Sequence, residues 1–439
     1  MSLNVNKTNQ IGLIAAVVLV ASNMLGSGIY MLPAILANVG SISIIAWGIT
    51  LIGIFALALV FAKLALLVPS GSGIYAYVKE AFGNFTGFQI NFIYSIANWV
   101  ALVSLLIVVT GYLGKIFPIF NQQSVATLTQ LMIIWIFIFL NLCGARYVGI
   151  VQSITFILGL IPILFVAICG WKWFSINTFI QSWQVAPVSK INAINMCFNT
   201  IIWSFIGIES ACVVSKVISN PKRNVPLATI FGVSLGAAIC ISTCTVMMGV
   251  IPNQVLAKSN APFADFLVTI FNFKYLMFFL CIIAITNCCG AISGWILVTV
   301  QTIKAASEDN LFPRFLAKTN KNGIPNRALL LIGIVMSIIV ILTSSPNAQT
   351  QFNKIINISV ILYLIPYICS AFAIIQIGKN RIIPKSQYIP YVILGIISGL
   401  FCIWSIINAD LSVSLSAFIL TLISMIFYSD KPKIAIKTN

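Results

Sequence analysis

The feature that most restricts how this chain folds is a series of apolar runs, each about 20 residues long, along its whole length. A helix of that length crosses the ~30 Å hydrocarbon core of a lipid bilayer. About twelve runs stand out by hydropathy, and they cover approximately residues 12–32, 41–62, 88–113, 126–143, 149–170, 194–215, 226–250, 276–303, 329–344, 355–376, 388–406 and 411–428. Only 7% of the 439 residues are charged. The sequence therefore predicts an all-α polytopic membrane protein with about twelve transmembrane helices and no separate soluble domain.

The net charge of +17 reflects basic residues in the loops on one side of the membrane rather than a nucleic-acid-binding surface. If the N-terminus lies inside, the loops on that side carry eighteen of the 24 basic residues. The opposite side carries the other six, which are Lys115, Lys172, Lys190, Lys258, Lys274 and Lys354. Basic residues concentrate in cytoplasmic loops, where they also attract anionic lipid. Both termini are therefore predicted to be cytoplasmic, with membrane lipid as a partner and no nucleic acid.

The composition gives little support to metal or covalent chemistry. The chain has no histidine, and its eleven cysteines fall mostly inside the apolar runs without a paired metal-ligand spacing. An intramembrane hydrolase needs a histidine, a pair of aspartates or a serine with a base. The apolar runs hold a single carboxylate instead. We therefore predict no metal site, no cofactor and no enzyme.

Two of the apolar runs are interrupted in their middle. The first interruption is in "ASNMLGSGIYMLP" (21–33) and the second is in "WSFIGIES" (203–210). Irregular backbone at membrane depth is tolerated where it lines a cavity within the protein. Interrupted spans at matching positions of two halves are typical of inverted-repeat transporters. Glycines that only allow close helix packing are the alternative interpretation.

The interruptions predict how the chain is organised. Residues 1–439 are expected to form one transmembrane domain with a five-plus-five inverted repeat, in which helices 1 and 6 are interrupted. The first repeat is predicted over 11–170 and the second over 194–376. Two additional C-terminal helices are predicted over 388–428.

Glu209 lies inside the second interrupted run. It is the one acidic residue, of seven in the chain, that an apolar run contains. A carboxylate at the bilayer centre costs on the order of 3 kcal/mol by insertion scales. No basic residue lies within a helical turn of it to offset that cost. Such a group is suited to bind and release a proton during a transport cycle. A neutral glutamic acid hydrogen-bonded to a neighbouring helix is the alternative.

The interruptions also suit a ligand that has both charges of an amino acid. Free N–H groups at the start of the half-helix after Gly26 and Gly28 favour a carboxylate. Free carbonyl groups at both breaks favour an ammonium group. Trp203 and Trp295 lie near the breaks and are able to cover a cation face-on, although plain packing is the alternative for Trp295.

Four segments carry a resemblance to a known family: "GSGIYMLPA" (26–34), "WSFIGIESACVVSKVISNPKRNVPLATIFGV" (203–233), "SGWILVTVQTIKAASEDNLFP" (293–313) and "LIPYICSA" (364–371). They resemble the bacterial basic amino acid/polyamine antiporters of the amino acid–polyamine–organocation superfamily. The sequence most resembles the arginine/agmatine antiporter, and it is also similar to the lysine/cadaverine and putrescine/ornithine exchangers. The resemblance covers about residues 10–428. It implies twelve helices, a frequent homodimer, and a place in the bacterial inner (plasma) membrane.

The resemblance also implies roles for individual residues. The substrate-binding positions that match are Asn23, Met24, Ser27, Gly28, Ala97, Asn98, Trp203, Ser204, Ile206, Trp295 and Ser359. The gating and proton-sensing positions that match are Tyr75, Tyr94, Glu209 and Tyr367. Among these, Ser27 and Gly28 would hold the substrate carboxylate. Trp295 would stack on the side-chain cation and act as a middle gate, and Glu209 would respond to protons.

One region departs from the arginine/agmatine pattern. That antiporter has cysteine, asparagine and methionine where this chain has Asn98, Leu102 and Leu105. A guanidinium group has five donors and an ammonium group three, so the lost acceptor weakens the case for arginine. Lysine, ornithine or another substrate stays open.

The resulting prediction is an antiporter that exchanges a basic amino acid for its decarboxylated amine, or for another amino acid, by alternating access. A proton-coupled amino acid symporter on the same fold is the alternative. The partner in both cases is a small molecule.

Overall fold

The helical fold follows the predicted runs closely. The computed structural model describes residues 12–26, 28–68, 73–213, 215, 218–308, 312–381, 383–409 and 411–426. Those residues contain no β-strand, and their helices are α1 (Leu13–Met24), α2 (Gly28–Ala37), α3 (Ser43–Leu67), α4 (Ile74–Ile116), α5 (Gln123–Leu142), α6 (Ala145–Leu164), α7 (Ile176–Gln181), α8 (Lys190–Trp203), α9 (Ser210–Val213), α10 (Pro221–Val250), α11 (Asn253–Leu256), α12 (Pro262–Phe271), α13 (Lys274–Glu308), α14 (Asn326–Thr343), α15 (Ala348–Asn380), α16 (Lys385–Ile407) and α17 (Leu411–Ile426).

The all-α membrane fold is confirmed. Within the described residues, nine helices are long and apolar enough to cross a membrane, and ten if α1 and α2 count as one bent span. The predicted run 194–215 holds the short pair α8 and α9, and the run 411–428 holds α17, which has 16 residues. The count of twelve spans and the repeat boundaries stay predictions.

Both predicted interruptions are present. Helices α1 and α2 meet at an angle of 47°. The chain turns at Leu25 and Gly26, while Ser27 lies outside the described residues. Helix α8 ends at Trp203, and residues 204–209 form turns before α9. Gly207 has a φ of 105°, a backbone conformation that glycine adopts far more easily than residues with a Cβ.

The boundary that differs most from the sequence prediction is the start of α4. The run predicted over 88–113 belongs to α4, which the structure begins at Ile74 and interrupts at Gly83, where φ is 88°. The segment 74–82 is less apolar than a membrane span, which is why hydropathy did not include it. Its first residues, Ile74 and Tyr75, nevertheless line a cavity that also contains Glu209.

Three glycines let α6 and α13 pack closely, as small residues commonly do in membranes. A Cβ on Gly159 would collide with Asn287, one on Gly290 with Thr155, and one on Gly294 with Gln152. The glycine of "SGW" at 293–295 therefore serves the helix contact beside Trp295. It also places the side-chain amide of Gln152 next to the candidate site.

Two polar contacts join loops and helix ends that the charge pattern assigns to opposite sides of the membrane. At one face, the Asn253 side-chain amide donates to Ser41 Oγ at 3.1 Å and to Ser182 O at 3.0 Å. At the other face, Arg381 pairs with Glu80 at 3.2 Å. The second face is the one predicted to be cytoplasmic.

Candidate functional site

A cavity of about 50 Å³ lies between the two helix breaks, and we call it the central cavity. Its lining residues come from α1, α2, α4, α8, α13 and α15 and from the breaks: Asn23, Met24, Gly26, Gly28, Asn98, Ala101, Leu102, Leu105, Trp203, Ile206, Trp295 and Tyr363. Seven of the predicted substrate-binding residues are in this set. The structure thus brings the two interruptions together around one small space.

The two breaks touch each other through Gly28 and Trp203. A Cβ added to Gly28 would lie 2.9 Å from Cδ1 and Nε1 of Trp203. The indole ring is 8% exposed and covers the first residue of α2. Glycine at position 28 therefore lets the ring of α8 lie directly over the N-terminus of α2.

A second cavity of about 220 Å³ contains Glu209 and reaches Gly73, Ile74 and Tyr75 at the start of α4. This end of α4 carries Glu80, so the second cavity extends towards the predicted cytoplasmic face. Trp295 and Asn23 line both this cavity and the central one. Trp295 therefore lies on the boundary between the two spaces.

The buried carboxyl group of Glu209 joins three parts of the chain. Tyr94 of α4 donates its hydroxyl to Oε1 at 2.7 Å, and Tyr367 of α15 donates to Oε2 at 2.8 Å. Glu209 is 1% exposed, and no ion pair within the described residues includes it. Three of the four predicted gating and proton-sensing residues are thus hydrogen-bonded neighbours, and each carboxyl oxygen has a tyrosine partner.

Tyr363 is a site residue that the sequence analysis missed. Its hydroxyl donates to Asn98 Oδ1 at 2.9 Å, and the Asn98 side-chain amide donates to the Tyr94 carbonyl at 2.7 Å. Its ring also lies edge-on to that of Tyr94, 5.5 Å between centroids. The available signal was its position four residues before Tyr367, which places both tyrosines on one face of α15.

A short chain of hydrogen bonds ties α1 to the second break. The Asn23 side-chain amide donates to Ser210 Oγ at 2.7 Å, and that hydroxyl donates to the Gly207 carbonyl at 2.5 Å. A Cβ on Gly207 would lie 3.1 Å from Asn23 Cβ. The end of α1 and the turn before Glu209 therefore fit closely against each other.

Three predicted binding residues do not line the central cavity. Ala97 and Ser359 are fully buried, and Ser204 donates its hydroxyl to the Ile201 carbonyl at 2.7 Å. Ser27 lies outside the described residues. Tyr75 lines the second cavity and accepts a hydrogen bond from Lys79 at 3.0 Å. The roles that the sequence gave to these residues stay predictions.

A third cavity of about 190 Å³ lies between α1, α6 and α13. It shares Asn23, Gly26, Leu105 and Trp295 with the central cavity. Sequence analysis gave no indication of it, because Gln152, Ser153 and Asn287 come from runs that show no break. Trp295 lines all three spaces.

Comparison with known proteins assigns the chain to a family. A family model described as amino acid permease matches residues 11–428. The chain belongs to the amino acid permease family. The resemblance to basic amino acid/polyamine antiporters is confirmed, because the similar proteins include the putrescine transporter PotE and the cadaverine/lysine antiporter of Escherichia coli strain K12. Both are named as transporters rather than enzymes, and the permease is accordingly a multi-pass membrane protein.

The likeness extends over almost the whole permease. It is 32% identical to PotE over 422 residues, which are 96% of each chain. It is 33% identical to the cadaverine/lysine antiporter over 431 residues, 97% of this chain and 96% of the antiporter. The crystal structure of MhsT in complex with L-phenylalanine has a TM-score of 0.61, covers 90% of this chain and 98% of its own, and is 11% identical. That last likeness concerns the fold alone.

Proposed function

We propose that this permease exchanges a basic amino acid, such as arginine, lysine or ornithine, for its decarboxylated amine or another amino acid by alternating access. The observation that carries the proposal is the central cavity between two broken helices, with Trp295 on its boundary to two further cavities. Sites at such breaks, around which one part of the protein rocks against another, are typical of secondary transporters. The names of PotE and the cadaverine/lysine antiporter support substrates of this class.

The ends of the broken helices supply a binding mode for the amino acid head. The N-terminus of α2 at Gly28 offers N–H groups and a positive dipole to the substrate carboxylate, and Ser27 is adjacent in sequence. The carbonyl groups of Met24, Trp203 and Ile206, at or after the ends of α1 and α8, would accept the ammonium group. Peptide groups at the helix ends would provide this binding without any charged side chain.

The proposal includes an orientation in the bacterial inner membrane with both termini cytoplasmic. The excess of basic residues on the face that holds Glu80 and Arg381 supports it. Labelling a cysteine added near the C-terminus from each side of intact vesicles tests it. The family resemblance supports a homodimer with lipid around it, and light scattering of the purified protein tests that state.

Counterflow in proteoliposomes tests the exchange itself. Vesicles loaded with lysine, ornithine, arginine, cadaverine, putrescine or agmatine are expected to take up labelled substrate one-for-one. Uptake that needs no internal substrate and follows an imposed pH gradient would instead support a proton-coupled symporter, which the buried Glu209 favours as the second candidate. If no cationic amino acid or amine gives counterflow, the exchange proposal is wrong.

Replacing Trp295 by alanine is expected to weaken substrate binding by ~1–2 kcal/mol, because the cation loses an aromatic face. The phenylalanine variant should recover part of that loss. Trp171→Ala is a matched control, since Trp171 is 47% exposed and donates its indole N–H to Ala167 O at 3.1 Å. Isothermal titration with lysine and cadaverine measures all three, and an unchanged dissociation constant for Trp295→Ala would contradict the contact.

A further inference from the structure

The third cavity has no part in the binding mode proposed above, although it shares lining residues with the central cavity. Gly26, Leu105 and Trp295 line both it and the central cavity. Its volume of about 190 Å³ is larger than the 50 Å³ of the central cavity. A ligand whose head is held at the helix breaks therefore has a larger space next to its tail.

The central cavity is too small for a whole basic amino acid. A volume of 50 Å³ has room for roughly four water molecules. The wall that α4 contributes beyond Asn98 is apolar, because it consists of Ala101, Leu102 and Leu105. A terminal ammonium group has three donors to satisfy, and this wall offers it no acceptor. The polar side chains nearby, Asn98 and Tyr363, are hydrogen-bonded to each other, so the third cavity is the more favourable place for the end of the tail.

The third cavity offers acceptors that the protein has not already used. Asn287 donates its side-chain amide to Tyr30 Oη at 3.2 Å, and Tyr30 donates to the Gly159 carbonyl at 3.1 Å. This arrangement holds Asn287 with its Oδ1 unpaired as far as the described residues show. Asn287 is 5% exposed and lines the cavity. A buried carbonyl oxygen without a donor is a favourable place for a cation.

Gln152 supplies a second amide at the same place. It extends from α6 against Gly294, which has no side chain in its way, and it lines both the second and the third cavity. Among the described residues, no hydrogen bond to its side-chain amide is present. Two residues with side-chain amides, on the facing helices α6 and α13, therefore line one space.

The second cavity is a weaker destination for the tail. Its carboxylate, Glu209, already accepts a hydroxyl from Tyr94 and another from Tyr367. An ammonium group would have to displace at least one of these bonds. The amides of the third cavity need no such displacement.

We propose that the third cavity is the subsite for the distal primary ammonium group of an aliphatic amino acid or diamine, with the side-chain amides of Asn287 and Gln152 as its acceptors. This inference rests on the proposed function. It commits the permease to substrates with a linear chain that ends in an ammonium group. The chain would pass between Leu105 and Trp295.

The test compares linear diamines, from ethylenediamine to octamethylenediamine, with monoamines of equal chain length as competitors of lysine counterflow. The ratio of the two affinities reports what the distal ammonium group contributes. In the unaltered permease the ratio should peak at one chain length and reach at least about tenfold, since hydrogen bonds to a charged group are stronger than those between neutral groups. Asn287→Leu and Gln152→Leu should each lower the peak by about threefold to tenfold.

Asn287→Asp is the complementary variant, because a carboxylate at the same atom position should raise the diamine ratio about tenfold or more. Asn91→Asp is the matched control: the same substitution, in the second cavity, should leave the ratio within about twofold. Monoamine affinity in each variant reports whether the central site is still intact.

The outcomes separate this subsite from the proposed function. If counterflow persists but the ratio does not respond to Asn287→Leu or Asn287→Asp, the subsite is wrong and the exchange proposal stands. If Glu209→Gln removes the peak and the Asn287 variants do not, the tail ends in the second cavity, and the subsite is again wrong. If lysine counterflow persists but no diamine competes, only the subsite is wrong, whereas both proposals fall if no cationic amino acid or amine gives counterflow.

Discussion

Replacing Glu209 by glutamine is expected to flatten the pH dependence of transport while substrate binding is largely retained. In the structure both carboxyl oxygens accept a tyrosine hydroxyl, at 2.7 Å from Tyr94 and 2.8 Å from Tyr367. Hydrogen bonds to an ionised acceptor are roughly twice as strong as neutral ones. The ionised carboxylate therefore holds α4 and α15 against the second break, and protonation loosens that connection.

The size of the effect follows from the two hydrogen bonds. A protonated carboxyl group must use one oxygen as a donor, so one tyrosine has to reorient and the other loses its charged acceptor. A loss of about 1 kcal/mol at each bond shifts the gate equilibrium roughly thirtyfold. Transport by the unaltered permease should therefore rise as pH falls. The glutamine variant resembles the protonated state at every pH, so its rate should vary less than about threefold.

The measurement is the initial rate of counterflow between acidic and neutral pH, with equal pH on both sides of the vesicle. Tyr94→Phe and Tyr367→Phe are the matched controls, since each removes one hydroxyl donor and leaves the carboxyl group in place. Each should be faster at neutral pH than the unaltered permease and should keep part of the pH response. A glutamine variant with an unchanged pH profile would show that Glu209 is not the proton-sensitive group.

The sequence predicted the membrane fold well because a bilayer imposes one strong requirement. Every backbone group in lipid needs an internal partner, so long apolar runs become helices and glycine-containing interruptions become candidate cavity walls. The breaks at Gly26 and Gly207 were visible for that reason. The start of α4 at Ile74 was not visible, since the segment before Gly83 does not have the hydropathy of a span.

The candidate site was predictable where a residue is unusual for its surroundings. Glu209 stood out as a carboxylate in an apolar run, and its tyrosine partners came from the family resemblance. Tyr363 and Asn287 did not stand out, because tyrosine and asparagine occur elsewhere in the apolar runs without a special role. Their importance comes from packing between helices distant in sequence, such as the contact that joins Asn287 to Tyr30. No periodicity along one helix contains that information.

The contact between the two helix breaks also connects Glu209 to the central cavity. Asn23 lines all three cavities, and its side-chain amide bonds Ser210, next to Glu209. Any change in the hydrogen bonds of Glu209 therefore acts on a segment that directly contacts α1. This connection is short, and it passes through the turn at Gly207. We therefore expect protonation of Glu209 in the second cavity to alter the shape of the central cavity.

Gly207→Ala should break this connection, and we expect it to lower substrate affinity by tenfold or more. Two costs add up. A residue with a Cβ is strained at the φ of 105° that Gly207 adopts, by ~1–3 kcal/mol. The new methyl group would also lie 3.1 Å from Asn23 Cβ and 3.3 Å from the Asn23 carbonyl carbon, so the end of α1 must move. Overpacking of this kind costs ~1–3 kcal/mol.

Gly83→Ala separates the two costs, because Gly83 has a φ of 88° and open space around an added Cβ. It carries backbone strain of the same kind without a collision. Both variants should lower the apparent Tm of the purified permease, but only Gly207→Ala should weaken lysine and cadaverine binding in titration calorimetry. Equal affinity losses in the two variants would mean that strain alone matters. Unchanged affinity in Gly207→Ala would mean that the contact between Gly207 and Asn23 does not shape the binding cavity.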